Sequence, residues 1–571
     1  MSEQSIETDV AIVGGGPAGS TCAILLKKYD PSLRVAVFER EAFPRDHVGE
    51  SLLPMVCGIL DEMGVWNRVE ECGFPIKVGA TYRWGNTPDL WDFNFIPRGE
   101  FVPQVRPAAF DGQRKNTTFQ VDRAIYDKVL GDYSRELGCD VRYESPVREV
   151  LREGDRITAL GLGDGTKVRA KYYVDASGHS GIIRRSMGVE IEEPALLRNI
   201  AIWDYWTDAE WAVQLGIGGT RVQVLSLGYG WIWFVQISDC RTSVGLVCPA
   251  EYYKNCGKTP EQLYLQAIGD ESRVTQLLAN AKREGRINTT KDWSFIAKRM
   301  TGENWFLAGE SQGFADPILA AGLSLAHTSA REVACIILEA NRGGDLNWFR
   351  EEYGTRNDRR IRQHIRFADY WYTANGNFSD LKEYVASIAK EAGLDLDGEK
   401  AFQWLGTGGF IEEEMGAAGF ATLRLDLVHQ VGQRFSATPP VSSLNGYNWF
   451  TLNLDGAEEI ERAHFRNGRI TKRRALKRGN RMLPLSGGYF GLVIEAVKHS
   501  PRLDQMVPFA TQLASTHGLK FDGALYARFI ETFEAMIRDG WINRELSANA
   551  PVVEHQFAFE TPEIMPNTPG R

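Results

Sequence analysis

The tightest constraint on this chain is a glycine-rich turn set between a β-branched stretch and a helical pattern. Thr8-Asp9-Val10-Ala11-Ile12-Val13 runs into Gly14-Gly15-Gly16-Pro17-Ala18-Gly19. Val10 to Val13 read as a buried strand. Gly14 allows a tight turn, Gly16 lets the backbone approach a pyrophosphate, and Gly19 lets the following helix pack closely on the strand. That helix is predicted from about Ala18 to Lys28, with Ile24, Leu25 and Leu26 inward, and its N-terminal amides and dipole face the phosphates. Arg34 to Phe38 read as the next strand, ending at Glu39-Arg40. An acid about 20 residues past the glycines accepts hydrogen bonds from ribose hydroxyls and disfavours a 2'-phosphate. Single glycine turns are common; strand, glycines, helix, strand and acid in this order point to a bound dinucleotide.

A second segment, Gly73-Phe74-Pro75-Ile76-Lys77-Val78-Gly79-Ala80-Thr81-Tyr82-Arg83-Trp84-Gly85, places a lone lysine among apolar residues. From spacing alone, a structural lysine snorkelling from a strand edge is the simpler reading. Further segments frame the nucleotide loop: Phe119 to Asp127 with Arg123, Val174-Asp175-Ala176-Ser177-Gly178, and Asn304 to Glu310 leading into Gly313-Phe314-Ala315-Asp316-Pro317. A helix-like run follows from about Gly322 to Glu339.

Together these segments resemble the p-hydroxybenzoate-hydroxylase type of FAD fold. Within it the chain is most similar to the flavin-dependent halogenases of phenolic or carrier-tethered aromatics. The resemblance covers roughly the first 370 residues and is carried by Phe43-Pro44-Arg45, Val48-Gly49-Glu50-Ser51-Leu52-Leu53-Pro54, the Lys77 segment, Asp175 to Gly178 and Gly230-Trp231-Ile232-Trp233. It implies an α/β Rossmann-like FAD domain with an α+β substrate layer. It also implies that Gly14, Gly16, Ala18, Gly19, Glu39, Arg40, Glu50, Ser51, Arg123, Asp175, Gly309, Glu310, Pro317 and Gly322 hold FAD. The acid after the late Ala-Gly contacts the ribityl chain in that family and is usually Asp; here it is Glu310.

The implied chemistry starts with reduced FAD and O2 forming a C4a-hydroperoxide. Chloride or bromide attacks it, and hypohalous acid travels through a tunnel to a lysine, matched here by Lys77. The lysine either hydrogen-bonds the acid or forms a haloamine. Desolvation there lowers an amine's pKa and eases proton exchange. Trp231, Trp233 and Phe314 match tunnel and substrate positions. Two departures keep a second reading open. The usual Ile-Pro after the second tryptophan is Val235-Gln236 here, and the serine of the late flavin motif is Ala320. An FAD-dependent hydroxylase or oxidase acting on an aromatic is the competing reading, and a non-catalytic flavoprotein the third.

Net charge of -9 argues against a nucleic-acid protein. No apolar run is long enough to span a bilayer, and the N-terminus does not read as a signal peptide. The 8 cysteines form no C-x-x-C, and no histidine pair has ligand spacing, so reduced thiols in a cytoplasmic protein and no metal site are expected.

The expected domains are an FAD-binding domain over 1–198 and 286–345, a substrate sheet over 199–285, and a mostly helical C-terminal domain over 346–571. Thr259-Pro260 reads as a helix cap and first turn. Phe367, Tyr370, Trp371 and Tyr372 share a helical face that suits either core packing or a pocket wall. Tyr489 to Trp541 reads as a helical or winged-helix-like module, and Ala550 to Arg571 as an irregular strap. The basic run from Arg466 to Arg481 is either a solvated face or a dock for an acidic carrier protein. Gly161, Gly163 and Gly165 read as a hairpin turn that precedes no helix, so no separate NAD(P)H domain is visible. A partner NAD(P)H flavin reductase is therefore expected.

Overall fold

The computed structural model describes residues 5–83, 90–95, 101–102, 104–193, 198–291, 294–374, 442–479, 481–485, 488–548 and 550–554. They fall into two compact units: 1–368 with 465–471, and 369–464 with 472–562.

The glycine turn nucleates the first unit. Strand β1 (Ser5–Val13) feeds helix α1 (Pro17–Tyr29), which returns to β2 (Val35–Phe38). β1 and β2 pair in parallel, as a right-handed β-α-β crossover requires. A seven-stranded sheet grows from them in the order β6 (Asp140–Arg142), β2, β1, β9 (Lys167–Asp175), β8 (Arg156–Leu162), β7 (Val147–Glu153), with β18 (Trp305–Leu307) parallel to β9. Its faces carry Ala11, Val13, Ala36, Phe38, Leu160, Val168, Tyr173, Trp305 and Leu307, all buried in one cluster. Fully burying an aliphatic side chain contributes about 1.5–3 kcal/mol, so these faces hold the layer together. The Gly163–Gly165 stretch is the turn between β8 and β9, as its sequence predicts.

A nine-stranded second sheet runs β15 (Lys282–Arg283), β11 (Asn199–Thr207), β14 (Arg241–Pro249), β13 (Gly230–Gln236), β12 (Gly219–Leu227), β3 (Ile76–Arg83), β4 (Trp91–Asn94). β16 (Asn288–Lys291) pairs with β11, and β5 (Thr118–Phe119) with β3. Strand β3, which carries Lys77, thus belongs to this sheet and not to the nucleotide sheet, although it lies inside the span 1–198 assigned to FAD binding. A parallel ladder with β12 draws it there. The far face of the sheet packs Ile202, Leu225, Ile232, Phe234 and Leu246 against α7 (Pro260–Asp270). Thr259 and Gln262 close a reciprocal capping box on that helix, with Pro260 in its first turn.

The first unit also reaches past 345, to Ala368. Helix α10 (Leu346–Ala374) is tied to it by buried polar contacts. Tyr353 Oη donates to the Leu307 carbonyl, and Arg360 pairs with Glu332 at 2.8 Å on α9 (Gly322–Asn341). Leaving any of these buried groups unpaired is costly, so the helix stays with the body. Of the aromatic face predicted on α10, Tyr372 is described, and it is buried.

In the second unit, helices Gly488–His499, Leu503–Thr516 and Gly523–Arg538 share one core with Phe450, Leu483 and Trp541. Strands Glu458–Arg466, Arg469–Arg478 and Arg481–Pro484 form a meander, of which 465–471 count with the first unit. The basic run is this hairpin, and part of its charge is met locally: Lys472 pairs with Glu461 and Arg474 with Glu459. Residues 375–441 and the strap from 555 onward lie outside the described residues. Among the described residues no helix is long and apolar enough to cross a membrane, and no His/Cys/Asp/Glu cluster suits a metal.

Candidate active site

The turn after β1 is built for close approach. Gly14 has φ +103°, and a Cβ there would sit 2.3 Å from the Ala176 carbonyl oxygen. A Cβ on Gly19 would meet the Gly14 oxygen at 1.9 Å. Glu39, at the end of β2, accepts from the Gly15 amide at 2.7 Å and from the Glu41 amide at 3.0 Å. Its carboxylate stands beside the turn, where a ribose acceptor is needed. Arg40 lies at the exposed edge, donating to Ser180 Oγ at 3.2 Å.

Helix α1 starts at Pro17 with no side-chain cap, and Gly16 leads into it with extended backbone. Arg45 Nη2 comes within 3.7 Å of where a Gly16 Cβ would lie. Arg45 Nη1 is buried with no hydrogen-bond acceptor, although Asp127 lies 3.5 Å away. An arginine beside an uncapped helix start is an anion cradle, and it fits a pyrophosphate.

Arg123 begins α4 (Arg123–Glu136) and is buried. It pairs with Asp127 at 2.7 Å and donates to the carbonyls of Val48 and Gly49 at 3.1 Å each. It therefore fixes the 48–50 turn. Asp175 caps the turn after β9: it accepts from the Ser177 hydroxyl at 2.6 Å and the Arg184 amide at 2.9 Å. Its carboxylate organises the backbone around the nucleotide turn. Gly309 has φ +66°, and a Cβ there would sit 3.0 Å from the Ala18 methyl carbon. Glu310 follows it, between Gly178 and Gly322, 3.8 Å from a Cβ at either. Burial raises its carboxyl above the usual range, and the Arg123 charge opposes that rise. Pro317 opens a short 3-10 turn capped by Asp316, and Ala320 closes it in the left-handed region at φ +53°. Gly322 then starts α9 without a side-chain cap, its Cα packed against the Phe314 ring. Ser324 Oγ in that first turn is buried with no partner. Glycines, Arg45, Glu39, Glu310 and the bare α9 start fit FAD.

Lys77 is buried, 2% exposed. Its Nζ donates to the Leu52 carbonyl at 3.0 Å and lies 5.4 Å from the Phe95 ring centroid. Burial alone pushes its pKa from 10.5 down to about 7. A bulge sets its direction. Lys77 pairs with Thr220 but Gly79 pairs with Arg221, so one residue of β3 is extra. A bulge re-aims side chains. It puts Lys77 on the face of Ala80 and Val222, where an unbroken strand puts it on the opposite face. That face is also the tryptophan face: Val224 pairs with Trp233, which hydrogen-bonds Ser243 at 3.1 Å. Trp231 and Trp203 lie 6.2 and 6.4 Å from Trp233, centroid to centroid. Gly245 makes room, since a Cβ there would meet the Trp233 ring at 2.1 Å. Gln236 lies beyond this wall, donating to the Glu210 carbonyl at 3.1 Å.

Glu50 joins the two layers. It accepts from Tyr205 and Ser243 of the second sheet, and burial pushes its carboxyl up to about 7. Sequence reading missed two groups here. Arg241 binds Asp46 at 2.9 Å, Asp122 at 3.1 Å and Glu284 at 2.7 Å, and stacks on Tyr205 at 3.9 Å. His327 bridges Thr21 Oγ1 at 2.7 Å and Tyr126 Oη at 2.8 Å, locking α9 to α1 and α4. An arginine at a strand start and a histidine in an apolar helix carry no local signal; their partners are distant in the chain.

Residues 7–368 match the family model described as FAD binding domain. A 1H-pyrrole-2-carbonyl-[peptidyl-carrier protein] chlorinase of Pseudomonas fluorescens is 31% identical over 350 residues, covering 59% of this chain and 77% of that protein. Among solved structures, the myxobacterial chondrochloren halogenase CndH is 29% identical with a TM-score of 0.59, over 70% of this chain and 92% of that one. The flavin-dependent halogenase CmlS is 23% identical with a TM-score of 0.70, over 98% and 100%, a likeness of fold.

Proposed function

We propose, for a chain that belongs to the FAD-binding-domain family and within it to the flavin-dependent halogenases, that Lys77 is the residue that hands the halogen to an electron-rich aromatic ring, free or carrier-tethered. The Gly14–Gly19 turn, Glu39, Arg45 and Glu310 would hold reduced FAD, which with O2 and halide would supply hypohalous acid. The single observation that carries the reading is an amine 2% exposed with its pKa near 7, re-aimed by a bulge onto the tryptophan face. A neutral amine is a nucleophile, an ammonium is not. Lys77 Nζ attacks the halogen, hydroxide leaves and takes an amine proton as water, and an N–halogen bond remains. The aromatic carbon then takes the halogen, its ring proton is lost, and Nζ regains a proton. Trp231 and Trp233 supply an apolar wall for such a ring, and Phe314 an aromatic face at the α9 start.

Ala320 removes a hydroxyl, but backbone amides at the α9 start suffice as halide donors in this reading. The Glu50 carboxyl, near pH 7, holds or releases a proton at its Oε1, which has no partner. Among the described residues one glycine-rich β-α-β turn serves a nucleotide, which supports a separate flavin reductase as the electron source. Eight free thiols suit a reducing compartment, and we place the chain in the cytoplasm.

Incubating the protein with a reductase, FAD, NADH and bromide over a panel of phenols, indoles and pyrroles tests the reading. Products gaining bromine are expected; products gaining only oxygen select the hydroxylase instead. The pH dependence is also set. Lys77 is neutral above about 7, so single-turnover halogenation is expected to rise through pH 7 from the acid side. A rate that instead declines through that range assigns the work to the ammonium.

A further inference from the structure

We propose that Gln120 is a positioning residue that holds hypohalous acid on its way to Lys77; this rests on the reading of Lys77 above. Gln120 is 0% exposed, and both its Oε1 and its Nε2 lack a hydrogen-bond partner. A buried carboxamide with neither atom satisfied costs about 1–3 kcal/mol per group, so its retention needs a ligand.

The register places it. β5 pairs with β3 so that Lys77 faces Thr118, and Gln120, two residues on, projects to the same side. Ser51 forms an isolated antiparallel bridge with Gln120. Leu52 N donates to the Phe119 carbonyl at 3.0 Å and Val121 N to the Glu50 carbonyl at 2.7 Å, so Ser51 and Gln120 are a non-hydrogen-bonded pair. Side chains stand closest in such a pair. Ser51 Oγ is also buried without a partner. The next residue, Leu52, offers the carbonyl that holds Lys77 Nζ at 3.0 Å. Three unsatisfied polar atoms therefore belong to the bridged pair next to the Leu52 carbonyl that holds the amine.

The chemistry of the pair suits one small guest. Hypohalous acid has one O–H to donate and oxygen lone pairs to accept. A carboxamide offers the reverse, an N–H and a C=O, on one planar group. Its nitrogen lone pair is delocalised into the carbonyl, so it is a far poorer nucleophile than the neutral amine beyond it. Gln120 therefore orients the acid and leaves the halogen for Lys77.

The test uses full-length, FAD-loaded protein with bromide, O2 and reductase, comparing wild type with Gln120→Leu. Four quantities are read: FAD affinity, melting temperature, brominated aromatic formed per reduced flavin oxidised, and bromination of added monochlorodimedone, which captures escaped hypobromous acid. Product per flavin is expected to fall about ten-fold while monochlorodimedone bromination rises, with FAD affinity within two-fold and melting temperature unchanged or higher. Unchanged yield and unchanged escape overturn the proposal. A ten-fold loss of FAD affinity with normal yield at saturating FAD also overturns it, by making Gln120 a cofactor contact. Gln120→Glu, of the same shape, gives the same readings should the leucine variant not fold. Lys77→Ala run alongside separates the two ideas. Full product from Lys77→Ala ends the lysine reading; lost product there with an intact Gln120→Leu ends only this one.

Discussion

Replacing Lys77 by leucine is expected to cut halogenated product by about 1,000-fold or more while reduced flavin is still oxidised and the protein becomes more stable. The loss follows from removing the nucleophile itself. The gain follows from burial. Lys77 is 2% exposed and meets one carbonyl and one ring, with no carboxylate among the influences on its pKa. Depressing the folded-state pKa from 10.5 to about 7 means the folded chain gives up ammonium that the unfolded chain keeps. At neutral pH, Leu in its place is expected to stabilise by roughly 2 kcal/mol, after the Leu52 carbonyl loses its donor. The sign in pH is fixed as well. Between about 7 and 10.5 the unfolded state binds more protons at this site, so wild-type stability gains with rising pH across that window. The leucine variant lacks that contribution. Urea midpoints at pH 7 and pH 9 check both statements; a variant less stable than wild type at pH 7 would show that Lys77 is a structural residue.

The second large effect is expected at Gly14. Alanine there puts a methyl carbon 2.3 Å from the Ala176 oxygen, at φ +103°. The left-handed backbone alone costs an L-residue roughly 1–2 kcal/mol. The clash adds more, because the Ala176 amide is itself bonded to the Val13 carbonyl at 2.8 Å and cannot retreat. The turn must shift, and α1 moves with it, carrying its N-terminal amides away from the phosphates. FAD affinity is expected to fall at least about 100-fold, seen as colourless purified protein. Gly58→Ala is the control. That helical glycine has nothing within 4 Å of an added Cβ, so stability is expected to rise by about 0.5–1 kcal/mol with flavin retained. Flavin retention in Gly14→Ala equal to that in Gly58→Ala would remove the turn from the binding site.

Local signals in the sequence carried as far as local interactions reach. The glycine turn, α1, Glu39 and the Thr259 cap depend on residues near one another in the chain, and the structure has them where the sequence places them. The strands of the second sheet between 199 and 249 were legible for the same reason, as alternating β-branched and aromatic runs. The end of the first body was not. Its extension to Ala368 rests on Glu332, Asn357, Arg360 and Tyr353, which read as an ordinary charged helix until their partners are known.

The sequence alone determined that the turn after β1 suits a dinucleotide, because a glycine turn is set by steric costs at single positions, and its resemblance to the flavin-dependent halogenases singled out Lys77 as the expected halogen carrier. The tertiary structure decided where that lysine points. One extra residue in β3, paired against β12 more than 140 positions later, turns Lys77 from one face of a sheet to the other. Side-chain direction in a strand alternates residue by residue, so a bulge fixed by a distant partner reverses it, and nothing local to Lys77 records that partner.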